Sequence, residues 1–152
     1  MEFKYEIVDA KPISVISVRK RTSVSELPKE LGKAYGSIVN YLTGLGETPM
    51  GPAFAAYHNM DMNDLDVEMG FPLENVVEGT EELVVKEIPG GKQISCVHTG
   101  PYDAMEPTYS ELMQYMAENG LEPTGVAYEF YYNGPEEVSP KDLVTKIMFP
   151  LK

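Results

Sequence analysis

Apolar positions along the chain fall into two kinds of pattern, and each kind occurs twice. Leu31, Tyr35, Ile38, Val39 and Leu42 follow the three- and four-residue spacing of a single helical stripe, and the same spacing returns at Met105, Tyr109, Leu112, Met113 and Met116. The first stripe predicts a helix from Glu26 to Thr43, with Ser25 as its cap and Pro28 tolerated in the first turn. The second predicts a helix from Ala104 to Glu118 capped by Asp103. Gly46 and Gly120 follow the stripes as stop signals, and Met105, Met113 and Met116 read as core. Around the helices lie short β-branched or alternating runs. Phe3 to Val8 and Pro12 to Val18 precede the first helix, and Ala53 to His58 and Leu65 to Phe71 follow it. Leu83 to Ile88 and Gln93 to Val97 precede the second, and Val126 to Tyr132 and Leu143 to Phe149 follow it. Turns at Asp9-Ala10 and Gly90-Gly91 suggest that each leading pair is a hairpin, and the acidic loops 59–64 and 133–142 separate each trailing pair.

The chain is therefore one unit, ββαββ, used twice, which predicts an α+β fold with largely antiparallel sheet. The copies also match residue by residue. Glu6-Ile7, Lys11 and Ile13-Ser14 recur 81 positions later as Glu87-Ile88, Lys92 and Ile94-Ser95. The helical stripe recurs at an offset of 74, as do Tyr57/Tyr131 and Asn59/Asn133, and Phe71-Pro72-Leu73 recurs at 78 as Phe149-Pro150-Leu151. We read residues 1–152 as a single domain made of copies 1–78 and 79–152.

Composition narrows what such a domain does. With 152 residues the chain is long enough to bury a core without staples. Its 24 acidic and 12 basic residues give a net charge of −12, and Arg19-Lys20-Arg21 is too short a basic run to attract a phosphate backbone. Direct nucleic-acid binding is not expected, whereas cations, including lipophilic ones, are concentrated near such a surface. The single cysteine, Cys96, excludes an internal disulfide and fits a reducing cytoplasm; it sits mid-strand among apolar neighbours, as an inert core thiol would. No apolar run approaches the roughly 18 residues of a membrane helix and no leader-like segment opens the chain, so a cytoplasmic location is expected.

The copies differ where chemistry is concerned. Glu129 stands where the first copy has Ala55. On an alternating strand it shares a face with Ala127 and Tyr131, leaving Tyr128, Phe130 and Tyr132 on the other face to pack the helix. A carboxylate among apolar and aromatic neighbours is costly to bury, and burial raises its pKa; a bound cation or protonation relieves the cost. The competing reading places Glu129 in solvent at a sheet edge or pairs it with Lys146. Aromatic rings supply the rest of a candidate ligand site: Tyr57 and Tyr131 as twins, Tyr102 at the start of the second helix, and the twins Phe71 and Phe149. Plain core packing competes for each Tyr and leads for the Phe pair. No metal site or cofactor motif is expected. His58 and His98 are far apart, and the loop Asp61 to Glu68 departs from the calcium template by placing Asp66 at its glycine position and Pro72 at its twelfth.

Two stretches carry a family resemblance: His98-Thr99-Gly100-Pro101-Tyr102, and Tyr128-Glu129-Phe130-Tyr131-Tyr132-Asn133-Gly134-Pro135 with Leu143-Val144-Thr145 and Phe149-Pro150. With them the chain resembles, over nearly its whole length, the gyrase-inhibitor-like (GyrI-like) domain, also the effector-binding domain of multidrug-responsive transcription regulators. The resemblance implies pseudo-twofold half-domains framing a central groove for hydrophobic, often cationic, molecules, with Glu129 matching a buried pocket glutamate. It also implies a stand-alone form, since no helix-turn-helix segment accompanies the domain, and the absence of tryptophan leaves stacking to Tyr and Phe. Three functions follow as expectations. The first is a binding protein that sequesters or senses drugs or toxins. The second, supplied by the resemblance, is a hydrolase of cyclopropane-bearing alkylating compounds using Glu129 and Tyr131. The third is interaction with a protein partner such as DNA gyrase or a regulator.

Overall fold

The computed structural model describes residues 5–59, 61–134 and 137–152. The chain forms two compact units, one of residues 11–90 and one of residues 91–152 joined by the N-terminal strand. The element order is ββαββ followed by ββαββ, as the hydrophobic pattern predicts.

In the unit 11–90, β2 (Ile13–Thr22), β3 (Ala53–Tyr57), β4 (Leu65–Pro72) and β5 (Val84–Ile88) form an antiparallel sheet in the order β3-β4-β2-β5, with α1 (Leu27–Gly44) packed on it. In the other unit, β1 (Tyr5–Ala10), β6 (Gly91–Thr99), β7 (Ala127–Tyr131) and β8 (Val144–Pro150) take the order β1-β6-β8-β7, with α2 (Glu106–Glu118). Among the described residues no helix is long and apolar enough to cross a membrane.

The leading pairs are not hairpins. Asp9 and Ala10 are ladder residues of β1 opposite Lys92 and Gly91 of β6, so neither predicted turn forms, and β2 takes β5 as its neighbour instead. Each unit is thus completed by a strand that the sequence repeat assigns to the other copy. The ladders also correct one offset. Phe71 faces Ile16 and Phe149 faces Ile94, so the strand equivalent to β2 is β6 shifted by 78, and Ile94 is the counterpart of Ile16, not Ile13.

The helix ends repeat in detail. Gly46 (φ 74°) and Gly120 (φ 66°) take the left-handed conformation that an L side chain resists, and Glu47 and Leu121 donate back to Leu42 and Met116 at 2.9 Å. The starts do not match expectation. Glu26, not Ser25, occupies the cap of α1, and α2 begins after a 3-10 turn, Tyr102–Ala104, that contains Asp103, whose side chain lies outside the described residues. Met105 and Met116 are buried, but Met113 is 51% exposed and points away from the core. The trailing hairpins are pinned alike. Asn59 bonds the Asp64 carbonyl and the Asp66 amide, and Asn133 bonds the Asp142 carbonyl and the Val144 amide. The acidic loop itself is spoken for by arginines, Arg21 with Asp64 and Arg19 with Asp66, both through two nitrogens. No metal-holding cluster exists among the described residues.

A second buried carboxylate, not anticipated from the sequence, lies in the unit 11–90. Glu68 accepts from Ser17 Oγ (2.6 Å), His58 Nε2 (3.1 Å) and Lys86 Nζ (3.2 Å). Burial raises its pKa, but these three partners outweigh burial and hold it below the usual glutamate range. Its stabilisation is therefore present above the unfolded pKa and lost as pH falls through the folded one. Glu68→Gln is expected to cost about 1–3 kcal/mol at pH 7, with the deficit vanishing in acid; urea unfolding at several pH values measures both.

Candidate functional site

Cross-strand rows place the candidate residues of the unit containing α2. Tyr131, Thr145 and His98 lie side by side across β7, β8 and β6; Glu129, Ile147 and Cys96 form the next row, and Phe149 and Ile94 the one beyond. Directly opposed residues share a face. Helix α2 covers this face: Tyr109 donates its hydroxyl to Glu129 Oε2, its ring meets Phe149 edge-on with centroids 6.0 Å apart, and Thr108 bonds His98. This reverses the expected arrangement, because the acid stands under the helix while Tyr128 and Phe130 stack on each other on the opposite face at 6.2 Å. Alternation shows which residues share a face, but not which face a helix will cover.

Glu129 is 7% exposed. Its second oxygen accepts from Tyr131 Oη at 2.8 Å. Lys146, the partner considered above, instead places Nζ 5.8 Å from the Phe130 ring centroid, on the other face. No lysine or arginine among the described residues pairs with Glu129. Burial pushes its pKa up; the Tyr109 and Tyr131 hydroxyls and nearby His98 oppose that rise without cancelling it. The result is a carboxyl group enclosed by phenols and poised to gain from any cation that reaches it.

The residues above Glu129 are fastened by His98. The Pro101 carbonyl can only accept, so His98 Nε2–H donates to it (3.1 Å), while Nδ1 bonds Thr108 Oγ1 (3.1 Å). Between these anchors Tyr102, 40% exposed, sets its ring edge-on to Tyr131 at 5.7 Å. Thr145 Oγ1 is fully buried and has no hydrogen-bond partner among the described residues. Such an orphan hydroxyl costs about 1–3 kcal/mol.

Of the expected site residues, Glu129, Tyr131, Tyr102 and Phe149 therefore lie in one unit around one carboxyl group. Tyr57 and Phe71 lie in the unit 11–90, where Phe71 meets Tyr35 at 5.3 Å and joins the cluster of Ile16, Ile38 and Leu42. Tyr109 and Thr145 were not singled out in the sequence. The signal for Tyr109 was available as a polar hydroxyl on an otherwise apolar stripe. Cys96 is buried with its thiol pushed up to about 11 by burial, as an inert core residue should be. A groove of about 500 Å³ floored by Val18, Ala34 and Met69, and a hollow of about 270 Å³ beside Lys92 and Leu151, do not include Glu129, which is closed over by its own tyrosines.

Because the folded-state pKa of Glu129 is raised, folding is favoured at low pH and penalised as pH rises through that pKa. Glu129→Gln is expected to unfold at higher urea than wild type at pH 7, with the difference shrinking toward zero as pH falls below the ordinary glutamate range; a less stable variant at pH 7 would contradict the burial argument.

Comparisons with known proteins bear on the fold and the family. The model of the GyrI-like small molecule binding domain matches residues 3–152. No curated protein matches the chain. Among solved structures, the chain is similar to the EcmrR C-terminal domain (20% identity, TM-score 0.79, 100% of this chain and 99% of that one). It is also similar to EcmrR in its complex with DNA (22%, TM-score 0.84, 99% of this chain), of which it spans only 57%. A hydrolase from Listeria innocua (15%, TM-score 0.73, 99% and 93%) and SAV2435 bound to tetraphenylphosphonium (10%, TM-score 0.71, 98% and 94%) share the fold. The chain belongs to the family of GyrI-like small molecule binding domains.

Proposed function

We propose that this domain binds amphipathic aromatic cations at Glu129, as a sequestering or sensing protein. The observation that carries the reading is a buried carboxyl group satisfied only by neutral phenols, with no basic side chain of the described residues paired to it. A ligand cation supplies the missing charge, and Tyr102, Tyr109, Tyr131 and Phe149 supply ring faces and edges, each cation–ring contact contributing roughly 0.5–2 kcal/mol. Broad specificity follows, because apolar area rather than a dense polar pattern holds the ligand. Tetraphenylphosphonium on SAV2435 is a ligand of this kind on a related fold. The site is closed as described, so binding requires Tyr109 or Tyr131 to release an oxygen of Glu129.

The test uses N-methylacridinium, a planar dye whose charge is independent of pH. Its affinity is expected to rise with pH through the raised pKa of Glu129 and to fall at least roughly tenfold in Glu129→Gln, losing its pH dependence there. Equal affinities for both proteins would remove the carboxylate from the account.

The 2.8 Å contact between Glu129 and Tyr131 also suits a second reading, hydrolysis of a strained electrophile. A protonated Glu129 acts as the acid and a Tyr131 hydroxyl stabilises developing negative charge on oxygen. Incubation with a cyclopropane-bearing alkylating agent separates the readings. Water addition over many turnovers supports catalysis, and a one-to-one complex without product leaves binding alone.

A further inference from the structure

The duplicated fold contains its own reference for what Glu129 needs around it. In the unit 11–90 the row equivalent to Tyr131–Thr145–His98 is Tyr57–Val67–Lys20, and the row equivalent to Glu129–Ile147–Cys96 is Ala55–Met69–Val18. Both Val67 and Thr145 are fully buried, and they have nearly the same shape. Valine is thus accommodated at this lattice position beside an alanine, and a hydroxyl replaces one of its methyls only in the unit that carries the acid. That hydroxyl has no partner among the described residues, although the Tyr35 hydroxyl of the unit 11–90 finds the Phe54 carbonyl at 2.8 Å. Thr145 lies diagonally across the ladder from Glu129, on the same covered face, within the span of a small polar head group.

We propose that Thr145 Oγ1 is a ligand-binding group that works with Glu129 to select cations bearing an N–H, protonated amines and amidinium-like centres, over permanently alkylated ones. The inference rests on the binding reading above. One part of the ligand's charged centre faces the Glu129 carboxylate while an N–H donates to Thr145 Oγ1. A permanently alkylated cation makes the first contact and leaves the hydroxyl unsatisfied. Broad apolar binding then acquires a specific preference from a single oxygen.

The experiment compares aminoacridine, protonated and N–H-bearing near neutral pH, with N-methylacridinium, which has a related ring and charge but no N–H. Binding is measured by fluorescence titration on wild type, Thr145→Val and Thr145→Ser. Thr145→Val copies the residue the other unit already holds, and without ligand it is expected to unfold at a higher urea concentration, because an unpaired hydroxyl is removed. Its affinity for aminoacridine should drop about three- to tenfold while that for N-methylacridinium is unchanged. Thr145→Ser should keep the wild-type preference. A Thr145→Val protein that is less stable and binds both dyes as before would show the hydroxyl to be held by buried water, and would overturn this inference alone. Parallel weakening for both dyes would overturn it as a packing effect. If neither dye binds wild type, this inference and the cation-binding reading fall together.

Discussion

The chemistry of this protein depends on the cost of keeping one carboxyl group out of water. Glu129 sits mid-strand under α2, and the fold offers it two phenol hydroxyls and a nearby His98 but no paired lysine or arginine among the described residues. Hydrogen bonds to neutral donors reduce the penalty of burial without removing it, which is why the group's pKa stays raised. Glu68 shows the contrast. It is as deeply buried, yet Ser17, His58 and Lys86 hold it below the usual range. One acid is fully provided for by the protein; the other is left short of a cation.

Duplication explains how such a site arises without disturbing the fold. The two units share their strand ladders, their left-handed helix-stop glycines and their asparagine-pinned hairpins. Where Ala55 and Val67 keep two lattice points of one unit apolar, Glu129 and Thr145 introduce polarity at the same points of the other. Tyr109, the counterpart of Tyr35, turns its hydroxyl to the new acid instead of to a backbone carbonyl. The shared features hold each unit together, and the proposed binding rests on what separates them.

Much of this was legible in the sequence, for physical reasons that also set the limit. Helical stripes and alternating runs placed the eight strands and two α-helices of the described residues, because periodicity reports burial directly. The Glu129/Ala55 asymmetry needed only the repeat. Partnering was less visible. Asp9-Ala10 looked like a turn, but the choice of β6 over β2 as the neighbour of β1 is made by distant residues, and the 81-residue motif offset concealed a ladder register of 78. Glu68 entered the sequence reading only as the end of an acidic loop, since nothing local announces that Ser17, His58 and Lys86 converge on it from elsewhere in the chain. Thr145 was missed for the same reason, whereas Tyr109 showed a local sign, a hydroxyl on an apolar stripe, but not its partner far along the chain.

Carbon NMR on protein labelled at the glutamate side-chain carboxyl reads the charge state of the Glu129 side chain directly. In free protein Glu129 should titrate above the ordinary glutamate range, and saturating N-methylacridinium should move its midpoint down, since a bound cation favours the ionised form. An ordinary or depressed midpoint in the free protein, or one that saturating dye leaves in place, would contradict the account.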